Sequence, residues 1–174
     1  GYVQNNKNTQ SKLGVAAVAM ESIRAEIQSV LDLTISNESG ITDTAVTLKV
    51  EAEAAIERVI AKLNTNIGGE FVFSGVHSDQ QALTQYDVVH PVSGFSPRGV
   101  VDGITGGTIV SAADATTKIT ELRSIYDSSN VVIPTRNFED TFYNGTNLAA
   151  GLRKDAMIDD GYSLDYGVQA NDPA

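Results

Sequence analysis

This chain of 174 residues is predicted to be α+β, a long antiparallel helical hairpin followed by a small mixed α/β, strand-rich outer domain. Three observations predict it. Apolar residues recur at helical spacing from about Ser11 to Ile35, and again from about Thr42 to Asn66. After Gly68-Gly69 that periodicity gives way to short apolar runs broken by Gly, Pro, Ser and Asp turns. Near the end, Asp159-Asp160-Gly161 joins two alternating segments as a tight hairpin.

The first helix carries its stripe at Leu13, Ala16, Met20, Ile23, Ile27, Val30 and Leu31, with Glu21, Arg24, Glu26 and Gln28 between. Asn37-Glu38-Ser39-Gly40 ends it, Gly40 supplying a left-handed stop. Thr42 or Asp43 caps the second helix, whose stripe is Ala45, Leu48, Ala52, Ala55, Ile56, Val59, Leu63 and Ile67. Its alternation of three and four resembles a bundle seam more than a broad globular face. Each helix spans about 25 residues, hence about 37 Å, and the short linker predicts an antiparallel pair.

Gly68-Gly69 closes the second helix, and Glu70–Gly75 alternates like a short strand. Tyr86–His90, Gly99–Val101 and Thr108–Val110 are short apolar runs between turns. Ser111 or Asp114 starts a helix that presents Ile119, Leu122, Ile125 and Tyr126 and ends near Ser128. Two strands follow, about Leu152–Ile158 and Tyr162–Val168. The expected organisation is residues 1–75 as the hairpin ending in a short strand, 76–170 as the outer domain, and 171–174 as the start of a further helix. Asn171-Asp172-Pro173-Ala174 carries that last expectation, since Asp favours the N-cap and Pro the first helical position. With a start at Gly1-Tyr2, both ends are expected to be cuts through helices whose partners lie elsewhere.

Acidic residues number 22 against 12 basic, a formal charge of −10, which argues against nucleic acid and anionic membrane as partners. No apolar run approaches the roughly 20 residues of a membrane helix. The absence of cysteine excludes disulfides and thiolate chemistry, and the absence of tryptophan argues against a sugar- or base-stacking platform. His77 and His90 lack metal-ligand spacing and read as surface or edge residues. No Gly-x-Ser-x-Gly elbow is present. Gly103–Thr108 reads as a turn, because it lacks the lysine of a phosphate loop. Asp155, Asp159, Asp160 and Asp165 form an acidic cluster without the spacing of a calcium loop. Asn144-Gly145-Thr146 is read as a turn, although it also fits a glycosylation sequon. No catalytic, cofactor-binding or metal-binding residue is assigned.

Packing remains as the function. Two helices bury one narrow seam, each large aliphatic side chain contributing roughly 1.5–3 kcal/mol against an ordering cost of about 1–2 kcal/mol per residue. Another helix or another subunit must cover what is left. The residues expected to carry inter-subunit or inter-helix contacts are Met20, Ile23, Ile27, Val30, Val59 and Leu63.

The segment Leu63-Asn64-Thr65-Asn66-Ile67-Gly68-Gly69-Glu70-Phe71-Val72-Phe73-Ser74-Gly75 resembles the place in the flagellin superfamily where the second long helix meets a short strand pair. An asparagine near the helix end, a glycine pair and an aromatic strand ending in Ser-Gly are similar to the hook-associated branch of that superfamily, at the junction of hook and filament. Phe142-Tyr143-Asn144-Gly145 and the run from Ile158 to Ala174 look like its alphaproteobacterial variants. The resemblance covers the chain loosely and is specific at residues 63–75 and at the C-terminal run. It implies a C-terminal helix that returns onto the first two. It also implies an extracellular flagellar location reached without a cleavable signal peptide, with neighbouring hook-associated protein, flagellin and further copies of the chain as partners and an export chaperone in addition. Flagellins usually carry an Arg-Glu-Leu-Ala-type signature in the first long helix; here Glu21-Ser22-Ile23-Arg24-Ala25-Glu26-Ile27-Gln28 departs from it, which favours the junction branch over flagellin itself. A ligand-binding module displayed through residues 80–165, or an enzyme using the aspartates, are the other readings.

Overall fold

The computed structural model describes residues 1–37, 42–127 and 136–172, with the backbone alone for 42–44. Helix is mixed with a little strand: α1 Tyr2–Ser36, α2 Thr42–Leu63, β1 Asn66–Ile67, β2 Glu70–Phe71, α3 Pro97–Thr105, α4 Ala112–Ser124, α5 Phe138–Thr141, β3 Lys154–Asp159 and β4 Tyr162–Tyr166. The strands form two antiparallel pairs, β1 with β2 and β3 with β4.

α1 runs for 35 residues and so begins well before Ser11. Its opening turns hold few apolar side chains and are fastened by tertiary bonds instead. Asn5 Nδ2 donates to the Met157 carbonyl at 2.9 Å, and Lys12 Nζ reaches Glu70 at 2.7 Å. The second half of α1 lies along α2. Lys62 Nζ donates to Ser22 Oγ at 2.7 Å and Arg58 Nε to Glu26 at 2.8 Å, which sets the two helices antiparallel. The expected stop at Gly40 and the expected helix start at Pro173 lie outside the described residues.

Gly68 and Gly69 have φ of 60° and 92°, and turn β1 back into β2 rather than stopping the helix. Two successive positive φ values suit the right-handed twist of a two-residue hairpin, and glycine adopts them without a Cβ penalty. The strand expected over 70–75 ends at Phe71. Beyond it the backbone serves other segments: Val72 N–H donates to Thr65, the Phe73 carbonyl accepts from Ala170, and the Ser74 carbonyl accepts from Thr146.

Phe73 is fully buried and Tyr143 nearly so. They pack with Ala16 and Ala19 of α1, Ile60 of α2, and Val72, Ala82, Leu83 and Tyr86. One core therefore draws on residues from both sides of position 75. Burial holds the Tyr143 hydroxyl above the ordinary phenol range, and that hydroxyl donates to the Phe73 carbonyl at 3.3 Å. Asn64 ties the end of α2 to this core. Its amide donates to the Leu83 carbonyl at 2.8 Å and its side-chain oxygen accepts from Leu83 N–H at 2.7 Å.

The outer part has fewer strands than expected. The run Gly99–Val101 lies inside α3, because Ser96 accepts from Gly99 N–H as an N-cap and Pro97 occupies the first turn. Val100 and Ile104 then share one helix face and pack with Ile125, Phe138 and Phe142. Tyr86–His90 and Thr108–Val110 belong to no strand, and among the described residues the remaining extended pairing there is an isolated Leu83–Tyr143 bridge. Ser111 caps α4 as expected, accepting from Asp114 N–H at 3.1 Å. β3 and β4 meet around Gly161 at φ 74°, pairing Ala156 with Leu164.

Candidate functional site

α1 carries two seams on adjacent faces. The first runs Thr9, Lys12, Ala16, Ala19, Ile23, Glu26, Val30 and Leu33, alternating steps of three and four, and every member is buried or half-buried. The second runs Leu13, Ala17, Met20, Arg24, Ile27 and Leu31, alternating four and three, and every member is exposed. Both follow the 3.5-residue period by which helices keep one edge toward a partner. The first faces α2 and the β3–β4 hairpin; the second faces outward.

Of the six expected packing residues, Met20, Ile23, Ile27 and Val30 lie on α1, and Val59 and Leu63 lie on α2. Ile23 of α1 is buried, Val30 of α1 and Val59 of α2 are half-buried, and Leu63 of α2 packs on the main core. Met20 and Ile27 stand on the open seam, 46% and 59% exposed. Leu13, Leu31 and Ile35 extend the open face along α1, and Val46 and Val50 of α2 are also exposed. The two seams lie one residue apart along α1, so in sequence their apolar members form one stripe, with Arg24 among the polar residues between.

The two seams differ in electrostatics. Over the covered one, Arg58 bridges Glu26 of α1 at 2.8 Å and Glu51 of α2 at 2.6 Å. On the open one, Met20, Glu21, Ile23, Arg24, Ile27 and Gln28 line a groove. Among the described residues neither Glu21 nor Arg24 has an ion pair or side-chain hydrogen bond. An apolar strip with one cation at its centre can seat a helix. It has no buried polar groups with which to bind a small molecule or activate one.

Elsewhere charged groups act as struts. Glu70 takes Lys12 at 2.7 Å and Lys154 at 3.5 Å, and the hydrogen bond from Lys12 leads in holding its carboxyl below the usual range. The crevice beside it measures about 10 Å³, no more than one water's room. Arg98 joins α3 to Glu53 of α2 and to Asp87, with its guanidinium 4.6 Å over the Tyr86 ring.

His77 is exposed, as expected, whereas His90 is buried and its Nδ1 accepts from Val92 N–H at 3.1 Å, a turn-forming role. Thr146 of the sequon is buried and accepts from Val76 N–H at 3.0 Å. Asp155 and Asp165 face each other across β3 and β4, but among the described residues no three His, Cys, Asp or Glu side chains are grouped to hold a metal. No described helix is long and apolar enough to cross a membrane. Comparison with known proteins returns no match to a family model, to a curated protein or to a solved structure.

Proposed function

We propose that this chain is a structural subunit of the bacterial flagellum, joining hook to filament through helix packing between subunits outside the cell. The observation that carries the reading is the open seam of α1. A single chain leaves Leu13, Met20, Ile27 and Leu31 in water at heptad spacing, and heptad spacing is what a second helix requires. The resemblance at residues 63–75 adds a physical reason for its own pattern, since Asn64 clips α2 to the outer part and Gly68-Gly69 makes the turn. In this reading α1 and α2 lie along the flagellar axis, the outer part faces the medium, and the neighbours are copies of the chain, hook-associated protein and flagellin.

Replacing Ile27 with Asp in the whole protein, in the bacterium that makes it, tests this. A carboxylate on the seam should give short or shed filaments at normal protein levels, seen by electron microscopy. Normal filaments would refute the role. Immunogold labelling places the protein in a band at the junction if the reading holds; labelling along the whole filament would make it flagellin instead.

A further inference from the structure

We propose that Asp160, at the tip of the β3–β4 hairpin, is a site of spontaneous backbone modification, where isoaspartate forms through a cyclic imide shared with Gly161. The Gly161 amide nitrogen attacks the carboxyl carbon of the Asp160 side chain. A carbon–nitrogen bond closes the succinimide ring, and a carboxyl oxygen leaves as water with the acid proton and the amide proton. Water then adds back to the ring. Where it cleaves the bond to the original main-chain carbonyl, the chain runs on through the side-chain carbon as isoaspartate. No oxidant or cofactor enters, and the mass is unchanged. The site does not depend on how the open seam of α1 is used.

Three positions place Asn or Asp before glycine, namely Asp102, Asn144 and Asp160. Glycine favours the reaction because no Cβ obstructs its nitrogen. The fold treats the three differently. Asp102 lies within α3 and its carbonyl accepts from Gly106 N–H at 2.7 Å, so its ψ stays helical and keeps the Gly103 nitrogen from its carboxyl. Asn144 is the most reactive of the three in a free peptide, but here the chain is held on both sides of the bond. Asn144 N–H donates to the Ala82 carbonyl at 2.9 Å and Thr146 N–H to the Ser74 carbonyl at 3.2 Å. Gly145 between them is buried, with the Tyr143 hydroxyl and the Ser74 carbonyl where a Cβ would stand. Ring closure has no room there.

Asp160 has neither restraint. Every residue from Met157 to Asp165 is exposed, and a Cβ on Gly161 would meet nothing within 4 Å. The ladder pairs Asp159 with Tyr162 and leaves Asp160 and Gly161 as the turn. Asp159 is spared, because the ladder fixes it and the residue after it carries a Cβ. Isoaspartate adds a carbon to the main chain inside that turn, so the Asp159–Tyr162 pair cannot close as before. The register already shifts between Met157 and Asp159, and the Met157 carbonyl takes the Asn5 side chain. Damage at the tip therefore loosens the opening turns of α1.

The test ages the folded chain at physiological temperature for several weeks. Peptide mapping with electron-transfer fragmentation, and labelling by an isoaspartyl methyltransferase, then locate the product. Isoaspartate should build up at Asp160 at least about tenfold faster than products form at Asn144, which must wait for the core to open. In denaturant the order should reverse, since only the fold protects Asn144. Asp160→Glu keeps the charge and should abolish the signal, because its longer side chain closes a larger ring more slowly. Hydrogen exchange in the first turns of α1 should quicken in the aged wild type and not in aged Asp160→Glu. An aged chain without isoaspartate at Asp160, or a folded chain in which Asn144 reacts as fast, would overturn the site. An order unchanged in denaturant would overturn the role given to the fold. Unchanged exchange in a chain shown to carry the modification would overturn its link to α1.

Discussion

Asn64→Ala removes the double hydrogen bond through which the end of α2 holds Leu83. The wild-type amide imitates a strand neighbour, donating to the Leu83 carbonyl at 2.8 Å and accepting from its N–H at 2.7 Å. Leu83 is 5% exposed, so water does not replace either partner. A neutral hydrogen bond contributes about 1 kcal/mol net, and an orphaned buried group adds about 1–3 kcal/mol. A loss of about 3 kcal/mol is expected for the pair. For a chain of this size each kcal/mol moves the midpoint about 2–4 °C, so melting should fall by roughly 6–12 °C. Asn64→Asp sharpens the test. It keeps the acceptor but turns a carboxylate oxygen toward the Leu83 carbonyl, which raises the folded-state pKa of the new acid above its unfolded value. Its destabilisation is then full above the folded pKa and fades as pH falls toward the unfolded one, where the protonated acid donates again. Melts followed by circular dichroism from pH 7 to pH 4 should show the Asp variant converging on wild type while the Ala variant keeps its distance. An Ala variant within about 1 kcal/mol of wild type would refute the reasoning, as would an Asp variant with a constant deficit.

Phe73→Ala should lose about 3–5 kcal/mol, because the ring is wholly buried in the core shared by α1, α2 and the outer part. Near- and far-UV signals should still melt together, and separate transitions would show that the two parts do not share that core. Gly145→Ala should lose at least about 1–3 kcal/mol in denaturant titration, since a Cβ there overlaps the Tyr143 ring and hydroxyl and the Ser74 carbonyl. Glu70 has its carboxyl pKa lowered from the ordinary 4.5, first by the hydrogen bond from Lys12. Its contribution is present above about pH 4.5 and lost as pH falls through the folded-state value, so Glu70→Gln should flatten the acid limb of a stability–pH curve. An unchanged acid limb would show that the Lys12–Glu70 contact is idle.

Local chemistry was legible and tertiary docking was not. The cap at Ser111, the hairpin through Asp160-Gly161 and the two long periodic helices each depend on residues near in sequence. The first turns of α1 carry little apolar pattern, and they are helical because distant Glu70 and Met157 hold them. Gly99-Val100-Val101 looked extended because β-branched residues favour strands, yet the Ser96-Pro97 cap starts a helix just before them. The strand at Glu70 stops early because buried Phe73 and Ser74 answer to Ala170 and Thr146, about 70–100 residues away, which no local pattern announces. Of the six packing residues expected from sequence, Ile23 is buried while Met20 and Ile27 are exposed, because which side of α1 meets α2 depends on where residues 42–63 come to rest.

The bond from Asn5 to the Met157 carbonyl links positions 152 apart. A ribosome makes Asn5 long before Met157, so this contact closes only after the residues between them have been made. Doubling such a span adds only about 0.6 kcal/mol to closure, so the delay is a matter of time more than of equilibrium. Until Met157 is made, the opening turns of α1 lack this fastening.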